Sequence, residues 1–380
     1  MSTAGGRVKV AYFVPPSRHF AGVERVVHEI ATGLTERFVD VFDVHVVFAS
    51  RYDEDLLRET AYTKHVLGVQ RLRRLAAAIR SCVAANDFDV LVCPQVEPTV
   101  LTWLATRGLR LPVFLAHLHG NPRVEEQRGS RATRLAFTLF RRLVAKRIAG
   151  VLVVSPSLER YTVESLTPGL PVAYVPNPVR DFDAPERTRS ADGVFRFVSV
   201  ARLSYQKGQD VLLRAIALAR PRMPAFHVTL VGSGPDEAAL RSLTQQLGLH
   251  DVVTFTGYTT DPVRHLLDAD CFVLASRWEG FGVALVEALR VGLPLLSTDC
   301  EFGPADVITD PALGHLVAPE DPQGLADGLM AAAGRRDQPG DVAHRRAAAE
   351  RYSRSAVVAE HAAALQRFTG GLAAAAHALD

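Results

Sequence analysis

The sequence predicts an α/β protein made of two domains in tandem, each built on a parallel sheet with helices on both faces. Three observations carry this prediction. The 380 residues are enough for two domains of ordinary size. Short β-branched runs alternate with longer amphipathic stretches from end to end, which is the pattern of βαβ units. The two halves also begin alike, since in each a strand-like run leads through a glycine loop into a helix.

The first half of the chain carries five strand-like runs, each short and rich in β-branched or aromatic residues. They are Val8–Val14, Val41–Ala49, Asp89–Cys93, Val113–His119 and Gly150–Val154. Between them, Val23–Leu34 and Gln70–Val83 place apolar residues at helical spacing, so we expect amphipathic helices there. Residues 1–180 are predicted to form an N-terminal domain.

The second half repeats this pattern with six runs. They are Phe195–Val200, His227–Val231, Val252–Thr256, Cys271–Ala275, Pro294–Ser297 and Gly314–Val317. Helices are predicted at Asp210–Ala219 and Val283–Arg290. Because hydrophobicity falls and charges cluster over Pro176–Gly193, we place the seam there and the C-terminal domain at residues 193–350. An Ala-rich helix is expected within 351–380.

The composition places the chain among globular proteins, with 48% hydrophobic and 22% charged residues. Lys and Arg number 43 against 41 Asp and Glu, so the net charge of +2 gives no electrostatic case for a nucleic-acid partner. The cysteines are scattered without zinc spacing, which favours free thiols in a reducing compartment. No secretory signal opens the chain and no stretch approaches the roughly 18 apolar residues of a bilayer span, so we expect a cytoplasmic protein.

The loop after Cys271–Ala275 is the strongest candidate for a ligand site, because ligands bind beyond the carboxyl ends of parallel strands. Its glycines let the backbone approach a ligand, and free N–H groups at the start of the following helix face anionic groups. A carboxylate in that apolar helix is costly unless donors such as ribose hydroxyls meet it. The candidate residues are Glu279, Gly280, Phe281, Gly282, Val283 and Glu287. The alternative is an ordinary strand–turn–helix, with Glu279 solvated and Glu287 paired to an arginine.

Glu279 and Glu287, separated by seven residues in E-G-F-G-V-A-L-V-E, resemble the E-x7-E signature of family-4 retaining glycosyltransferases. The resemblance implies the GT-B architecture, two facing Rossmann-like domains with the active site in the cleft between them. It implies transfer of a sugar from a nucleotide-diphosphate donor, held by the C-terminal domain, to a hydroxyl-bearing acceptor, with retention of anomeric configuration. It also implies that Glu279 binds the sugar, that Glu287 grips the ribose, and that the helix of 351–380 packs on the N-terminal domain.

Two basic residues follow the first predicted strand of the second half, Phe195–Val200. A leaving diphosphate develops negative charge as the sugar bond breaks, so cations must already be in place. Arg202 offers a fork for bidentate contacts and Lys207 a compact charge. In the resembling family, the arginine and lysine of this segment hold the diphosphate. The alternative is a solvated pair at a strand end.

Three further loops match the family on the donor side. Gly232 and Gly234 resemble its V-G-x-G-P turn over the nucleotide, although αβ loops also need glycine for purely steric reasons. Tyr258 follows a strand at the place expected for the base pocket. Asp306 stands where the family often carries a glutamate beside the donor sugar, a departure that leaves its role open.

The acceptor side is less defined. Gly22 resembles part of the family's paired-glycine loop, with Ala21 in place of the other glycine. Strand alternation puts His117 and His119 on one face. The resembling enzymes often have one histidine here, close to the transferred sugar, and we favour His119 because it lies nearer the strand tip; a buried structural histidine is the alternative for either. Asn177 matches a family position with a structural role.

No metal or other cofactor is expected. Asp87 with Asp89, and Asp268 with Asp270, form D-x-D pairs such as many glycosyltransferases use. Each pair precedes a strand, however, and so lies at the wrong end of the sheet. The cationic pair and the helix N-terminus supply positive charge instead.

A basic segment, residues 128–147, interleaves seven arginines and lysines with apolar residues. A basic amphipathic helix of this kind lies on anionic lipid, as a peripheral membrane contact. The favoured alternative is a surface helix whose arginine stems cover apolar neighbours.

The residues do not specify the donor base, the sugar or the acceptor. UDP is the more frequent donor nucleotide in the resembling family, and the modest charge favours a small soluble acceptor such as an aminocyclitol over a lipid-linked or polysaccharide acceptor. Two other classes stay open. One is a nucleotide-sugar epimerase, which needs no acceptor. The other is a nucleotide-binding protein without turnover, against which the intact Arg202, Lys207, Glu279 and Glu287 argue.

Overall fold

The computed structural model describes residues 6–17, 20, 22–52, 57–69, 72–110, 113–182, 185 and 192–376. The chain folds into two compact units. The first comprises Met1–Arg180 and Ser353–Asp380, and the second comprises Asp181–Tyr352. Each unit has its own parallel sheet and its own hydrophobic core.

In its described part, the first unit contains a seven-stranded parallel sheet in the order β3-β2-β1-β4-β5-β6-β7. Its strands are β1 (Val8–Val14), β2 (Phe42–Phe48), β3 (Thr63–Val66), β4 (Val90–Pro94), β5 (Val113–Leu118), β6 (Gly150–Val153) and β7 (Val172–Tyr174). The five predicted strands are present. The sequence pattern does not predict β3 and β7, because these short edge strands are mostly exposed or half-buried and lack a continuous apolar run.

The helices of the first unit alternate with these strands. They are α1 (Val23–Arg37), α2 (Leu72–Asn86), α3 (Val96–Ala105), α4 (Pro122–Arg128), α5 (Arg131–Leu139) and α6 (Pro156–Tyr161). The prediction of one basic helix over residues 128–147 is confirmed in part: α4 ends at Arg128, and a new helix begins at Arg131 and continues through α5 into a π-helical turn, Phe140–Val144. The hydroxyl of Ser130 accepts a hydrogen bond from Thr133 N, which caps a new helix at that point.

The core of the first unit lies against the central strands of its sheet. Val10, Val46 and Leu115 are fully buried, and so is Ile30 of α1, which packs on them. All five residues of β4 are buried. A parallel sheet is covered by helices on both faces, so its central strands are apolar on both sides.

The second unit contains a six-stranded parallel sheet within its described residues, in the order β10-β9-β8-β11-β12-β13. Its strands are β8 (Phe195–Val200), β9 (Phe226–Val231), β10 (Val253–Gly257), β11 (Cys271–Leu274), β12 (Leu295–Thr298) and β13 (Gly314–Val317), at the six predicted places. Its helices are α7 (Gln209–Ala219), α8 (Glu237–Gln246), α9 (Val263–Leu267), α10 (Val283–Arg290), α11 (Pro304–Val307), α12 (Pro322–Gly334) and α13 (Asp341–Glu350).

The last helix, α14 (Arg354–Ala376), returns to the first unit and packs against α1. Val357 and Leu365 are fully buried in the core of that unit. Arg354 forms an ion pair with Glu36 of α1 at 2.8 Å. The helix therefore completes a core whose other buried residues lie at Val175 or earlier in the chain.

The strand order reverses between β1 and β4 in the first sheet, and between β8 and β11 in the second. Both orders are Rossmann-like, and ligands of such sheets bind beyond the carboxyl ends of the strands at these switch points. The loops after β8 and β11 are therefore the places to examine in the second unit. Among the described helices, none combines the length and the apolar character that crossing a bilayer requires.

Candidate active site

Two loops of the second unit meet at the switch point between β8 and β11. The loop after β8 carries Lys207, and the loop after β11 carries Glu279, 72 residues further on. Lys207 Nζ lies 2.5 Å from Glu279 Oε1, and Glu279 is only 5% exposed. A carboxylate this buried needs a paired charge. The structure therefore joins two residues that the sequence places in separate motifs.

A buried serine completes the surroundings of this carboxylate. Ser276 Oγ donates to the same atom, Glu279 Oε1, at 2.6 Å. The carbonyl of Ser276 in turn accepts a hydrogen bond from Thr298 Oγ1 at 2.6 Å. Burial, with the Glu279 charge beside it, raises the pKa of the Cys300 thiol to about 12, so this thiol is not a nucleophile at neutral pH. No motif identifies Ser276, because a serine just after a strand carries no signal of its own.

Arg202 stands apart from this pair. Its side chain is exposed and forms no hydrogen bond or ion pair with the part of the chain that the structure describes. Its carbonyl accepts a hydrogen bond from Gln209 Nε2 at 3.0 Å, which holds the backbone while the guanidinium stays accessible. Of the two predicted cations, Lys207 is engaged by a carboxylate and Arg202 is open to an anion.

A close approach between backbones brings the Lys207 loop to β11. Gly208 has a φ of 63°, and a Cβ at this position would lie 2.0 Å from the carbonyl oxygen of Ala275. Any other side chain would force the two loops apart. Gly208 thus explains how Lys207 reaches Glu279.

The Gly232–Gly234 turn, predicted to close over a nucleotide, has a steric function as well. Cβ atoms at Gly232 and Gly234 would lie 2.2 and 2.1 Å from the carbonyl oxygens of Ala201 and Leu203. These contacts pack the loop after β9 against the segment that leads to Arg202. Packing accounts for both glycines, and their contact with a nucleotide stays a prediction.

The loop after β11 leads directly into α10. Gly282 is the N-cap residue, with a φ of 90°, so Val283 begins the helix with its N–H groups at the carboxyl edge of the sheet. Phe281 is 2% exposed, and its ring packs edge-on against Tyr352 with centroids 5.2 Å apart. The ring of Phe281 is therefore part of the packing of this loop, and Gly280 beside it is also buried.

Three further predicted residues belong to other elements of the second unit. Glu287 is half-buried on α10, between neighbours that are buried. Tyr258 follows β10 and is 63% exposed. Asp306 Oδ2 accepts a hydrogen bond from Gly303 N at 3.3 Å and so caps α11, which gives this side chain a structural role.

An arginine next to Ser276 forms a clamp that the sequence analysis misses. Arg277 Nη1 lies 2.9 Å from Asp210 Oδ1, and its Nε lies 2.5 Å from Glu320 Oε1. The guanidinium also lies 4.0 Å from the ring centroid of Tyr205. These partners tie the loop after β11 to α7. No local pattern identifies the clamp, because the two carboxylates lie 67 and 43 residues away.

In the first unit, His119 follows β5 at its carboxyl end. Its Nδ1 donates to Asn177 Oδ1 at 3.0 Å, and its ring centroid lies 3.8 Å from that of His117, as strand alternation predicts. Burial lowers the pKa of His119 to about 4, and burial also lowers the pKa of His117 well below its ordinary value. Both rings are therefore neutral at pH 7, and His119 brings hydrogen-bonding capacity without positive charge.

A third buried imidazole extends this group. The ring of His361, on α14, lies 5.6 Å from that of His117, and its Nε2 is 2.8 Å from Tyr12 Oη. Burial, followed by the nearby His119, lowers the pKa of His361 to about 3. We call His117, His119 and His361 the imidazole cluster. Sequence reasoning misses His361 because only folding brings α14 to β5.

Two further polar residues near His119 are not predicted. Gln95 follows β4 as the N-cap residue of α3, with φ 57° and ψ 170°. This backbone region is costly for any residue but glycine, and such strain collects at functional sites. Gln95 Oε1 accepts a hydrogen bond from His119 N at 3.3 Å. Burial, and then the charge of Glu97, raises the pKa of Glu125 to about 7.

Gly22, the other residue predicted on the acceptor side, is the N-cap of α1. Its φ is 56°, and an added Cβ would meet open space, so conformation rather than crowding favours glycine here. Ala21 lies outside the described residues.

The D-x-D pairs bind backbone. Asp89 Oδ2 accepts a hydrogen bond from Lys9 N, and Asp270 Oδ2 accepts one from Arg196 N, both at 2.9 Å and both at the amino ends of strands. Over the described ranges, no group of three or more His, Cys, Asp or Glu side chains is arranged to hold a metal ion.

Two family models match consecutive parts of the chain. The model described as Glycosyltransferase Family 4 matches residues 20–181, and the model described as Glycosyl transferases group 1 matches residues 182–345. The chain is also 23% identical over 340 residues to the lipopolysaccharide 1,6-galactosyltransferase of Escherichia coli, covering 84% of this chain and 87% of that protein.

Other relatives match over shorter stretches. An uncharacterized glycosyltransferase of Methanocaldococcus jannaschii is 34% identical over 114 residues, 30% of this chain and 28% of that protein. A putative colanic acid biosynthesis glycosyltransferase of Escherichia coli is 35% identical over 156 residues, 39% of this chain and 38% of that protein. In these alignments, the chain spans well under two thirds of its relatives' length.

Solved structures match almost the whole chain at low identity. An Anabaena protein in complex with UDP and glucose has a TM-score of 0.77 at 20% identity, covering 95% of this chain and all of that one. The apo form of a lipopolysaccharide outer core galactosyltransferase has a TM-score of 0.72 at 18% identity, covering 94% and 99%. These likenesses show the fold. Together with the two family models, they establish that the chain belongs to the family-4, group 1 glycosyltransferases and has the GT-B fold.

Proposed function

We propose that this chain transfers a sugar from a UDP-sugar to a hydroxyl group of a glycan acceptor, with retention of anomeric configuration and without a metal ion. The Lys207–Glu279 pair is the observation that carries the proposal. A cation and a buried carboxylate share one hydrogen bond at the switch point of the second sheet, beside the N-terminus of α10. This arrangement suits a ligand that carries both phosphate and sugar hydroxyls.

Each of four predicted residues is proposed to contact one part of the donor. Lys207 and Arg202 stabilise the negative charge that develops on the leaving diphosphate, and the N–H groups at the start of α10 add to it. Glu279 accepts hydrogen bonds from the sugar, and Glu287 from the ribose. Because fixed cations already supply the positive charge, a metal ion is not required.

The proposed chemistry is a front-face displacement. The bond between the anomeric carbon and the phosphate oxygen breaks, the acceptor oxygen bonds to the same face of that carbon, and the acceptor proton passes to the leaving phosphate. His119 is neutral at pH 7, so its proposed part is to hydrogen-bond a hydroxyl group rather than to supply charge. A protein nucleophile is not part of this route.

The acceptor is proposed to be the end of a saccharide chain. Relatives named for lipopolysaccharide, O-antigen and colanic acid synthesis support this choice over a small aglycone such as an aminocyclitol. The aminocyclitol stays the second candidate, and the same experiment tests it.

A basic surface on the first unit supports a membrane-bound form of this acceptor. Gln127 to Leu158 contains no acidic residue. Leu135 and Leu143 are 59% and 44% exposed, whereas Phe137 on the opposite side of α5 is fully buried. We define the basic face as the exposed side chains Arg128, Arg131, Arg134, Leu135, Arg142, Leu143, Lys146 and Arg147. Cations around exposed leucines are what an anionic lipid surface attracts. We propose peripheral contact of a cytoplasmic protein.

A mass-spectrometric screen tests the proposed function. The purified chain is incubated with UDP-, GDP- and ADP-sugars, first alone and then with pools of oligosaccharide, lipid-linked and aminocyclitol acceptors. We expect slow UDP release without acceptor, and a product heavier by one sugar with the right pool. Change of the sugar without an acceptor would indicate an epimerase. Binding of nucleotide without any turnover would indicate a non-catalytic protein.

A further inference from the structure

One oxygen of the Glu279 carboxylate takes two hydrogen bonds, and the other takes none from the residues that the structure describes. Ser276 Oγ and Lys207 Nζ both donate to Oε1, at 2.6 and 2.5 Å. Ser276 is fully buried and Glu279 is 5% exposed. This asymmetry leaves Oε2 as the acceptor for a ligand hydroxyl.

The two donors on Oε1 differ in mobility. Ser276 is held from both sides, by the hydrogen bond of Thr298 Oγ1 to its carbonyl and by the Arg277 clamp that follows it. Lys207 has a flexible four-carbon stem and three donor hydrogens, and it is half-buried. A diphosphate that binds beside Lys207 competes with Glu279 for the ammonium group. It does not compete for the hydroxyl of Ser276.

We propose that Ser276 is a positioning residue for the donor sugar. Its hydroxyl fixes the orientation of Glu279, so that Oε2 is presented to a sugar hydroxyl. It also supplies the hydrogen bond that remains when the Lys207 ammonium turns toward the diphosphate. A carboxylate so buried is costly without a donor. The inference rests on the proposed function for the identity of the ligand, and it names a residue that no motif contains.

The test compares two buried serines, Ser276 in the loop after β11 and Ser297 on the neighbouring strand β12. Ser297 on β12 is also fully buried, but its hydroxyl donates to the carbonyl of Thr298 at 3.0 Å instead of to Glu279. Ser276→Ala should lower kcat/KM for the UDP-sugar by about ten- to hundredfold, the effect of one hydrogen bond to a charged group. Its affinity for UDP, which lacks the sugar, should change less than about twofold. Ser297→Ala should leave both quantities near those of the unaltered chain.

The outcome is decided by comparing the change in affinity for UDP with the change in kcat/KM for the UDP-sugar. If Ser276 had only a structural role, its replacement would lower the affinity for UDP and kcat/KM for the UDP-sugar together. Equal losses in the two quantities would overturn the proposal. Unchanged kcat/KM in Ser276→Ala, with normal activity of the unaltered chain, would overturn it and leave the proposed function standing. If the alanine variant does not fold, Ser276→Cys keeps the volume with only a weak donor, and the same split is measured there. No UDP-sugar turnover by the unaltered chain overturns both proposals.

Discussion

At the scale of single residues, Lys207 is the side chain on which the proposed donor site depends. Lys207→Ala removes the cation that faces the leaving diphosphate, while Ser276 still donates to Glu279. We expect kcat/KM for transfer to fall about 100- to 1000-fold, the loss found when one stabilising donor is removed from a developing negative charge. Circular dichroism should show an intact fold.

Lys146→Ala is the matched control for this prediction. Lys146 is exposed on the first unit, so its removal should leave turnover of a soluble acceptor unchanged. Near-normal transfer by Lys207→Ala would contradict the assignment of the diphosphate site.

The imidazole cluster predicts how the stability of the first unit depends on pH. The pKa values of His119 and His361 are lowered from an ordinary 6.5 to about 4 and about 3 in the folded chain. The unfolded chain therefore binds more protons below about pH 6.5, and the free energy of unfolding falls from there toward about pH 4. The shift of His119 alone corresponds to about 3 kcal/mol.

Urea denaturation at several values between about pH 7 and about pH 4.5 measures this dependence. His361→Gln should flatten it. His315→Gln, at an exposed histidine of the second unit, should leave it unchanged. A pH dependence that His361→Gln does not alter would argue against the cluster as its origin.

At the scale of elements, the basic face is tested through α5 and the π-helical turn after it. Arg134→Glu combined with Arg142→Glu reverses two exposed charges and should lower binding to vesicles that contain phosphatidylglycerol. At about 1 kcal/mol per basic residue, removing two cations costs at least about tenfold in affinity. Co-sedimentation measures it, and phosphatidylcholine vesicles serve as the control.

One further double variant serves as a control for this experiment. Arg214→Glu with Arg241→Glu makes the same charge change on the second unit, and it should leave vesicle binding unchanged. Equal loss in both double variants would mean that net charge, and not the basic face, attracts the chain.

Most elements follow from the sequence, because strands buried on both faces must be apolar throughout. Five strands of the first unit and all six of the second are predicted, although β10 and β13 at the edges of the second sheet are only partly buried. The exceptions have a common cause. β3 and β7 lie at sheet edges with little burial, and the break at Ser130 depends on one side-chain cap.

The site follows from the sequence only in part, for a similar reason. Lys207, Glu279 and Glu287 belong to motifs, and local pattern finds them. Arg277 acts through partners 67 and 43 residues away, so no window of sequence contains its function. Ser276 bonds Glu279 only three residues on, but a serine in a loop carries no signal that its hydroxyl turns toward that carboxylate.

At the scale of the whole molecule, the proposed reaction needs no ion that the chain must recruit. In the proposed reaction, we expect Arg202, Lys207 and the N-terminus of α10 to supply the charge that Mg²⁺ or Mn²⁺ supplies elsewhere. We expect transfer rates in excess EDTA to match those with added Mg²⁺ within about twofold. Loss of activity in EDTA that Mn²⁺ restores would refute metal independence.

The return of α14 to the first unit sets the order in which the chain can be completed on the ribosome. Domains fold as units while synthesis proceeds from the N-terminus at about 5–20 residues per second. The second unit is one continuous segment, Asp181–Tyr352, and all of it has been made before α14 begins. Synthesis of the first unit starts earlier. Its core is complete only after Val357 and Leu365 have been made, and the hydrogen bond between Tyr12 and His361 forms only then. The domain that emerges first is therefore the last to be finished.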